Sequence, residues 1–246
     1  MLDVIFQYGP LTLRTFNIFA ALGLLFGGAF AVRFSLKKKL NSGFLYKNGP
    51  YLFLAALLGG RIAYLLENLQ VFLDYPLTSL FVWDLRYSFF GAMYALLITL
   101  FALSRKHKED FWAWFDVVIL SLLAFMFFIH LGHFFNGTQY GIPTDLPWGI
   151  AFDNQNIRYL NPIHPTQLYA ALFTLMITVY SVKGSTRIHL PGVVASRALM
   201  IYCLSMFALD YLHAFPLFYT KLSFVGIAIL AFIASIHTSH KTYITD

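Results

Sequence analysis

The sequence predicts an all-α, polytopic integral membrane protein of seven transmembrane helices, with its N-terminus outside and its C-terminus in the cytoplasm. Three observations predict this class. Charged side chains make up only 11% of the 246 residues and hydrophobic ones 59%, against about a quarter charged in a soluble domain. Seven apolar runs approach the length of a bilayer span. The basic residues gather in alternate connections between those runs. With so little charge the chain cannot cover a water-facing surface, and a mean hydropathy of +0.68 makes lipid its solvent over much of its length. Aromatic residues reach 19%, which suits a lipid-facing surface with interfacial belts.

A helix needs about 20 mostly apolar residues to cross the hydrocarbon core. The runs that meet or approach this are 11–32, 51–73, 88–103, 111–131, 165–182, 190–212 and 217–236, the third being the shortest. No basic region precedes the first run and Asp3 is acidic, so that run reads as a retained span and not as a cleaved leader. Arg33, Lys37, Lys38, Lys39 and Lys47 follow span one, and Arg105, Lys106 and Lys108 follow span three. Lys183 and Arg187 follow span five, and Lys241 follows span seven, whereas the opposite connections hold Arg86, Arg158 and Lys221. The excess of Lys and Arg on one side sets the orientation. The chain therefore reads as one membrane domain, 1–246, with an outer loop at about 132–164. That loop is rich in Gly, Pro, Asn and Asp, and its prolines and Trp148 suggest an ordered segment over the outer leaflet.

The net charge of +6 is accounted for by this topology, and no basic and aromatic groove pattern accompanies it, so nucleic acid is not an expected partner. The single cysteine, Cys203, excludes an intrachain disulfide and reads as a small buried apolar side chain.

Polar groups inside a membrane are costly and mark interior cavities. Counting Arg86, which precedes the third span, six of the seven predicted helices bring one to the outer half: Arg14 and Asn17, Arg61, His130 and His133 with Asn136, His164 and Gln167, and Asp210 and His213 are the others. They suggest a cavity open to the outer leaflet and polar enough for a lipid head group. Helix capping or interfacial placement is the plainer reading of Arg14, Asn17 and Asp210. His130 and His133 share a helix face. Together with His164, Asp210 and His213 they also have the chemistry of a metal-ligand set, although spacing from three helices is weak evidence for one. Arg61, at mid-span, needs a partner or an anion, and Glu67 six residues on does not share its face.

These motifs have a familiar order. GPLTLR at 9–14, LGGRIAY at 58–64, WDLRYSFFGA at 83–92, HLGHFFNG at 130–137, GIPTDLPWGIAF at 141–152 and HPTQLY at 164–169 together resemble the prolipoprotein diacylglyceryl transferase family, over nearly the whole chain. The resemblance implies a seven-span enzyme of the bacterial inner membrane. Such an enzyme moves a diacylglyceryl group from phosphatidylglycerol, or another anionic phospholipid, to a cysteine thiol of a lipoprotein precursor, with no metal or organic cofactor. The leaving phosphate needs fixed cations or donors, and the thiol needs a base.

The chain departs from the family pattern at several positions. Phe90 stands where the family has histidine, His130 for arginine, His133 for asparagine, Thr138 for glutamate, Met206 and His213 for arginines, Asp210 for glutamate, and Phe16 for tyrosine. Retained are Arg61, Asn136, Gly137, Gly141, Pro147, Trp148, Gly149, His164, Pro165, Gln167 and Tyr169. Met206 cannot bind phosphate as arginine does, histidine does so only when protonated, and Phe90 cannot accept a proton. The expected catalytic residues are therefore His130, His133 and Asn136. The expected substrate contacts are Arg61, Arg86, Gly137, His164, Gln167, Tyr169, Asp210 and His213. The competing readings are a lipid- or lipoprotein-binding homologue with an altered site, a transferase with a different acceptor, and a metal-dependent enzyme.

Overall fold

The computed structural model describes residues 4–8, 11–74, 76, 87–152, 157–186, 190–216 and 218–240. Among these the chain forms an antiparallel hairpin, β1 (Val4–Tyr8) and β2 (Leu11–Arg14), followed by eight helices. The helices are α1 (Thr15–Lys37), α2 (Ser42–Glu67), α3 (Leu69–Asp74), α4 (Phe89–His107), α5 (Phe111–Asn136), α6 (Thr166–Gly184), α7 (Val193–Asp210) and α8 (Phe218–His240). Six of them are long and apolar enough to cross a membrane: α1, α2, α4, α5, α7 and α8. α6 is long enough at 19 residues. It is less apolar because Thr166, Gln167, Thr174, Thr178 and Ser181 lie along it, all of them buried.

Several helix boundaries differ from the sequence expectation. The apolar stretch 11–14 pairs as a strand with residues 4–8, so the first helix starts at Thr15 and not at residue 11. The second helix starts at Ser42, nine residues before the expected 51. Asn41 accepts a hydrogen bond from the Gly43 N–H, satisfying one of the donors a helix start leaves open. It ends at Glu67, where the Asn68 N–H and side-chain amide both turn back to the Tyr64 carbonyl. The rest of the expected span becomes the short helix α3. The third expected span lengthens at its basic end to His107.

The chain divides into two compact units, Ser35–Phe115 and Met1–Phe34 with Asp116–Asp246. In the first, α2 and α4 meet on a seam of small residues. A Cβ at Gly59 would collide with the Ala95 methyl group and lie 2.8 Å from the Gly91 carbonyl oxygen. A Cβ at Gly91 would collide with Ala63 and lie 2.6 Å from the Gly59 carbonyl oxygen. Backbone-to-backbone approach of this kind is how helices associate where lipid supplies no hydrophobic drive. At one end of the unit the Asn41 amide and the Trp114 indole both donate to the Glu109 carboxylate, at 2.9 and 3.3 Å.

In the second unit, α1 packs on α5 through Gly23 and Gly27 and through ring pairs Phe19–Phe135 and Phe26–Phe128. α6, α7 and α8 pack in sequence. Polarity runs inside out. Thr174 and Thr178 are buried and bond back to the carbonyls of Ala170 and Thr174, at 2.6 and 2.7 Å. Leu25, Tyr180 and Leu230 face outward. Asp116, 1% exposed, accepts from the Gly192 and Ala195 N–H groups at 3.1 and 2.9 Å and thereby caps the start of α7.

Candidate active site

The polar residues expected at the outer ends of the last helices are brought together in the second unit by one loop. α5 ends at Asn136, and Gly137 follows with φ of 66°, a left-handed conformation that costs glycine nothing and closes the helix end. The Thr138 N–H then bonds back to the His133 carbonyl at 3.1 Å. From Tyr140 the chain becomes extended and pairs on two sides. The Ile142 N–H donates to the Leu212 carbonyl and the Ala214 N–H to the Tyr140 carbonyl, at 2.9 and 3.0 Å. The Gly141 N–H donates to the His164 carbonyl, and the His164 N–H to the Ile142 carbonyl, both at 3.1 Å. Two side chains at the start of α6 complete the tie, with the Thr166 hydroxyl donating to the Gln139 carbonyl and the Gln167 amide to the Thr138 carbonyl, each at 2.7 Å. The end of α5, the start of α6 and the end of α7 are thus held in register by backbone pairing.

Each candidate side chain has a definite neighbourhood there. His130 is 8% exposed and its Nε2 lies 3.4 Å from the Tyr202 hydroxyl on α7. His133 Nδ1 lies 2.8 Å from the Thr138 hydroxyl, and its ring packs on Phe16 with centroids 5.0 Å apart. Asn136 stands in the last turn of the same helix. The imidazoles of His130, His133 and His213 lie within electrostatic reach of one another. His164 faces the Tyr169 hydroxyl at 3.4 Å. Gln167 is fully buried, and its Oε1 accepts no hydrogen bond from a described residue.

Asp210, 6% exposed, sits at the C-terminal end of α7 with His213 Nδ1 and Lys221 Nζ each 3.8 Å from a carboxylate oxygen. Lys221 also stands over the Tyr211 ring, 4.0 Å from its centroid. Burial pushes the His213 imidazole below its ordinary pKa, and the Asp210 carboxylate opposes that shift in part.

Arg61 belongs to the Ser35–Phe115 unit, where it is buried in α2 and its guanidinium lies over the rings of Tyr64 and Tyr87, 5.4 and 5.9 Å from their centroids. The Ser88 hydroxyl in that unit donates to Glu67 at 2.6 Å, and the Ser88 N–H to the Gly60 carbonyl at 2.9 Å. Arg86 lies outside the described residues. No three His, Cys, Asp or Glu side chains among the described residues converge closely enough to hold a metal ion.

Three residues the sequence did not single out belong to the cluster. Tyr202 lies within an apolar run. Thr138 stands out only as a replaced position. Lys221 reads as one loop cation among several, and only the fold brings it to Asp210.

The loop ties together the very segments that carry the family motifs, and the family model described as prolipoprotein diacylglyceryl transferase matches residues 3–239. The chain belongs to that family. Among its relatives is a phosphatidylglycerol–prolipoprotein diacylglyceryl transferase of Synechococcus sp. strain CC9902, 32% identical over 71% of this chain and 64% of the relative. A protein of the same name from Desulfotalea psychrophila is 32% identical over 74% of this chain and 68% of the relative. One from Ehrlichia canis is 28% identical over 86% and 82%. The chain spans 64% and 65% of the length of two of the curated cyanobacterial relatives it matches. Within the prolipoprotein diacylglyceryl transferase frame, five of the eight replaced positions gather in one place. His130, His133, Thr138, Asp210 and His213 all fall in the cluster tied by the 137–165 loop.

Proposed function

We propose that this chain transfers a diacylglyceryl group from phosphatidylglycerol, or another anionic phospholipid, to the cysteine thiol of a lipoprotein precursor. It would do so as a seven-span protein of the bacterial inner membrane, with α6 as the remaining span, its N-terminus outside and the 137–165 loop over the outer leaflet. The observation that carries the reading is the clustering of the replaced polar positions of a family-wide match on one loop-tied end of α5, α6 and α7.

The reaction breaks the bond between the diacylglyceryl carbon and its phosphate ester oxygen and forms a thioether bond from sulfur to that carbon. The thiol proton goes to a base, and the electron pair of the broken bond leaves on glycerol phosphate. His133 suits the base. When its Nδ1–H donates to the Thr138 hydroxyl, Nε2 carries the free lone pair. His130, facing the Tyr202 hydroxyl, is the second candidate. Lys221, beside Asp210, is placed to act toward the leaving phosphate where the family's arginine is Met206, and His213, whose pKa burial lowers, offers an N–H donor there. Gly137, His164, Gln167 and Tyr169 shape the cluster's wall. Arg61 and Arg86 are proposed anion contacts, because a guanidinium matches phosphate oxygens bidentately.

The second reading, a lipid- or lipoprotein-binding homologue, is favoured by one fact: Phe90 and Met206 cannot perform proton or phosphate chemistry. Single substitutions separate the two. His133→Ala is expected to lower transfer about a hundredfold while the protein still inserts, and His130→Ala to lower it as well. Full activity in both variants would overturn the site assignment.

A further inference from the structure

A cavity of about 450 Å³ lies between α6, α7 and α8 at the end of α7 opposite the histidine cluster, lined by Tyr180, Ser181, Gly184, Arg197, Phe232 and Ser235 among others. Arg197 stands one turn inside α7, and 13 residues at 1.5 Å each put it about 20 Å from Asp210 along the helix. Arg197 is a permanent cation within a helix apolar enough to cross a membrane. It pairs with no carboxylate among the described residues, and no acidic side chain lines the cavity. Such a cation in a span calls for an anion. The walls supply the rest of a recognition set. Ser181 and Ser235 bring hydroxyl groups, and Tyr180, Ile201, Phe232 and Ile236 bring apolar surface that is exposed for the most part.

We propose that this cavity binds one anionic phospholipid, with its phosphodiester on the Arg197 guanidinium and its acyl chains along Tyr180, Ile201 and Phe232. A planar guanidinium with several N–H donors matches phosphate oxygens bidentately. The occupant is a lipid and not a free phosphate because the cation sits among apolar side chains that only acyl chains would cover. With the orientation set by the basic connections, this is the cytoplasmic leaflet. The site is separate from the transfer chemistry and does not depend on it.

The test is a lipid titration of the delipidated full chain, read by native mass spectrometry, with phosphatidylglycerol and phosphatidylcholine as probes. A photoreactive phosphatidylglycerol maps the contact. Arg197→Gln is expected to weaken one phosphatidylglycerol binding event about tenfold, and Arg197→Lys to keep much of it. Gly184→Leu is the independent variant: Gly184 lines the cavity and a Cβ there meets nothing within 4 Å, so bulk is added at the cavity wall without disturbing the helix. It is expected to remove the same event. Crosslinks are expected within residues 180–184, 194–201 and 232–239. Wild-type phosphatidylglycerol binding in both Arg197→Gln and Gly184→Leu would overturn the proposal. So would loss in Gly184→Leu alone, phosphatidylcholine bound as tightly as phosphatidylglycerol, or crosslinks confined to other segments.

Discussion

Two buried aspartates bear on the two ends of α7, and they are treated in opposite ways. Asp116 lies against the N-terminal end. Both of its oxygens accept backbone N–H groups, at 2.9 and 3.1 Å, where the helix dipole also favours negative charge. Asp210 lies at the C-terminal end, where the dipole disfavours it. Its Oδ2 accepts no hydrogen bond from a described residue, and Lys221 Nζ and His213 Nδ1 stand back at 3.8 Å. A buried carboxylate left so poorly satisfied is a poor stabilising device. The first aspartate holds the helix in place. The second stands beside Lys221 and His213, an arrangement that suits the proposed transfer site better than a structural cap.

Substitutions at the two positions should therefore separate cleanly. The largest expected effect is on activity: Asp210→Asn should lower transfer about a hundredfold, with little loss of thermal stability. A large fall in melting temperature with normal transfer would reverse the assignment. Next comes Asp116→Ala, which should cost about 2 kcal/mol by leaving two buried N–H groups unmatched, while the correctly folded fraction transfers normally. Denaturation of the purified protein in detergent measures it, and an unchanged midpoint would contradict the capping role. The smallest effect is the pH response of His213. Its folded pKa is depressed, so the folded protein binds fewer protons there than the unfolded chain. That contribution to stability is intact above about pH 6.5 and declines as pH falls below it. Wild-type protein should lose more melting temperature between about pH 7.5 and 5.5 than His213→Gln does. Equal losses would remove His213 as the cause.

Much of this organisation was legible in the sequence, for different reasons at different places. Six of the expected spans were readable because lipid demands long apolar runs, and the polar positions because a membrane tolerates few. The first helix start was misplaced because Leu11, Leu13 and their neighbours are as apolar in a strand as in a helix. The second was set too late because Lys47 and Pro50, here within the first turns of α2, read as loop residues. In the site, His130, His133, His164, Asp210 and His213 were visible as polar residues near predicted helix ends. Their grouping rests on pairing of residue 141 with 164 and of 142 with 212, which no local pattern encodes. Lys221 and Tyr202 were missed for that reason. Arg197 was not singled out, although it lies inside the expected span 190–212.

The most direct test of the central claim is diacylglyceryl transfer by purified wild-type protein in lipid, from labelled phosphatidylglycerol to a lipobox peptide. The account predicts labelled thioether product above a no-enzyme control, abolished when the peptide cysteine is changed to serine. Absence of product from folded protein, under conditions where a relative with the family's unaltered motif residues is active, would contradict it.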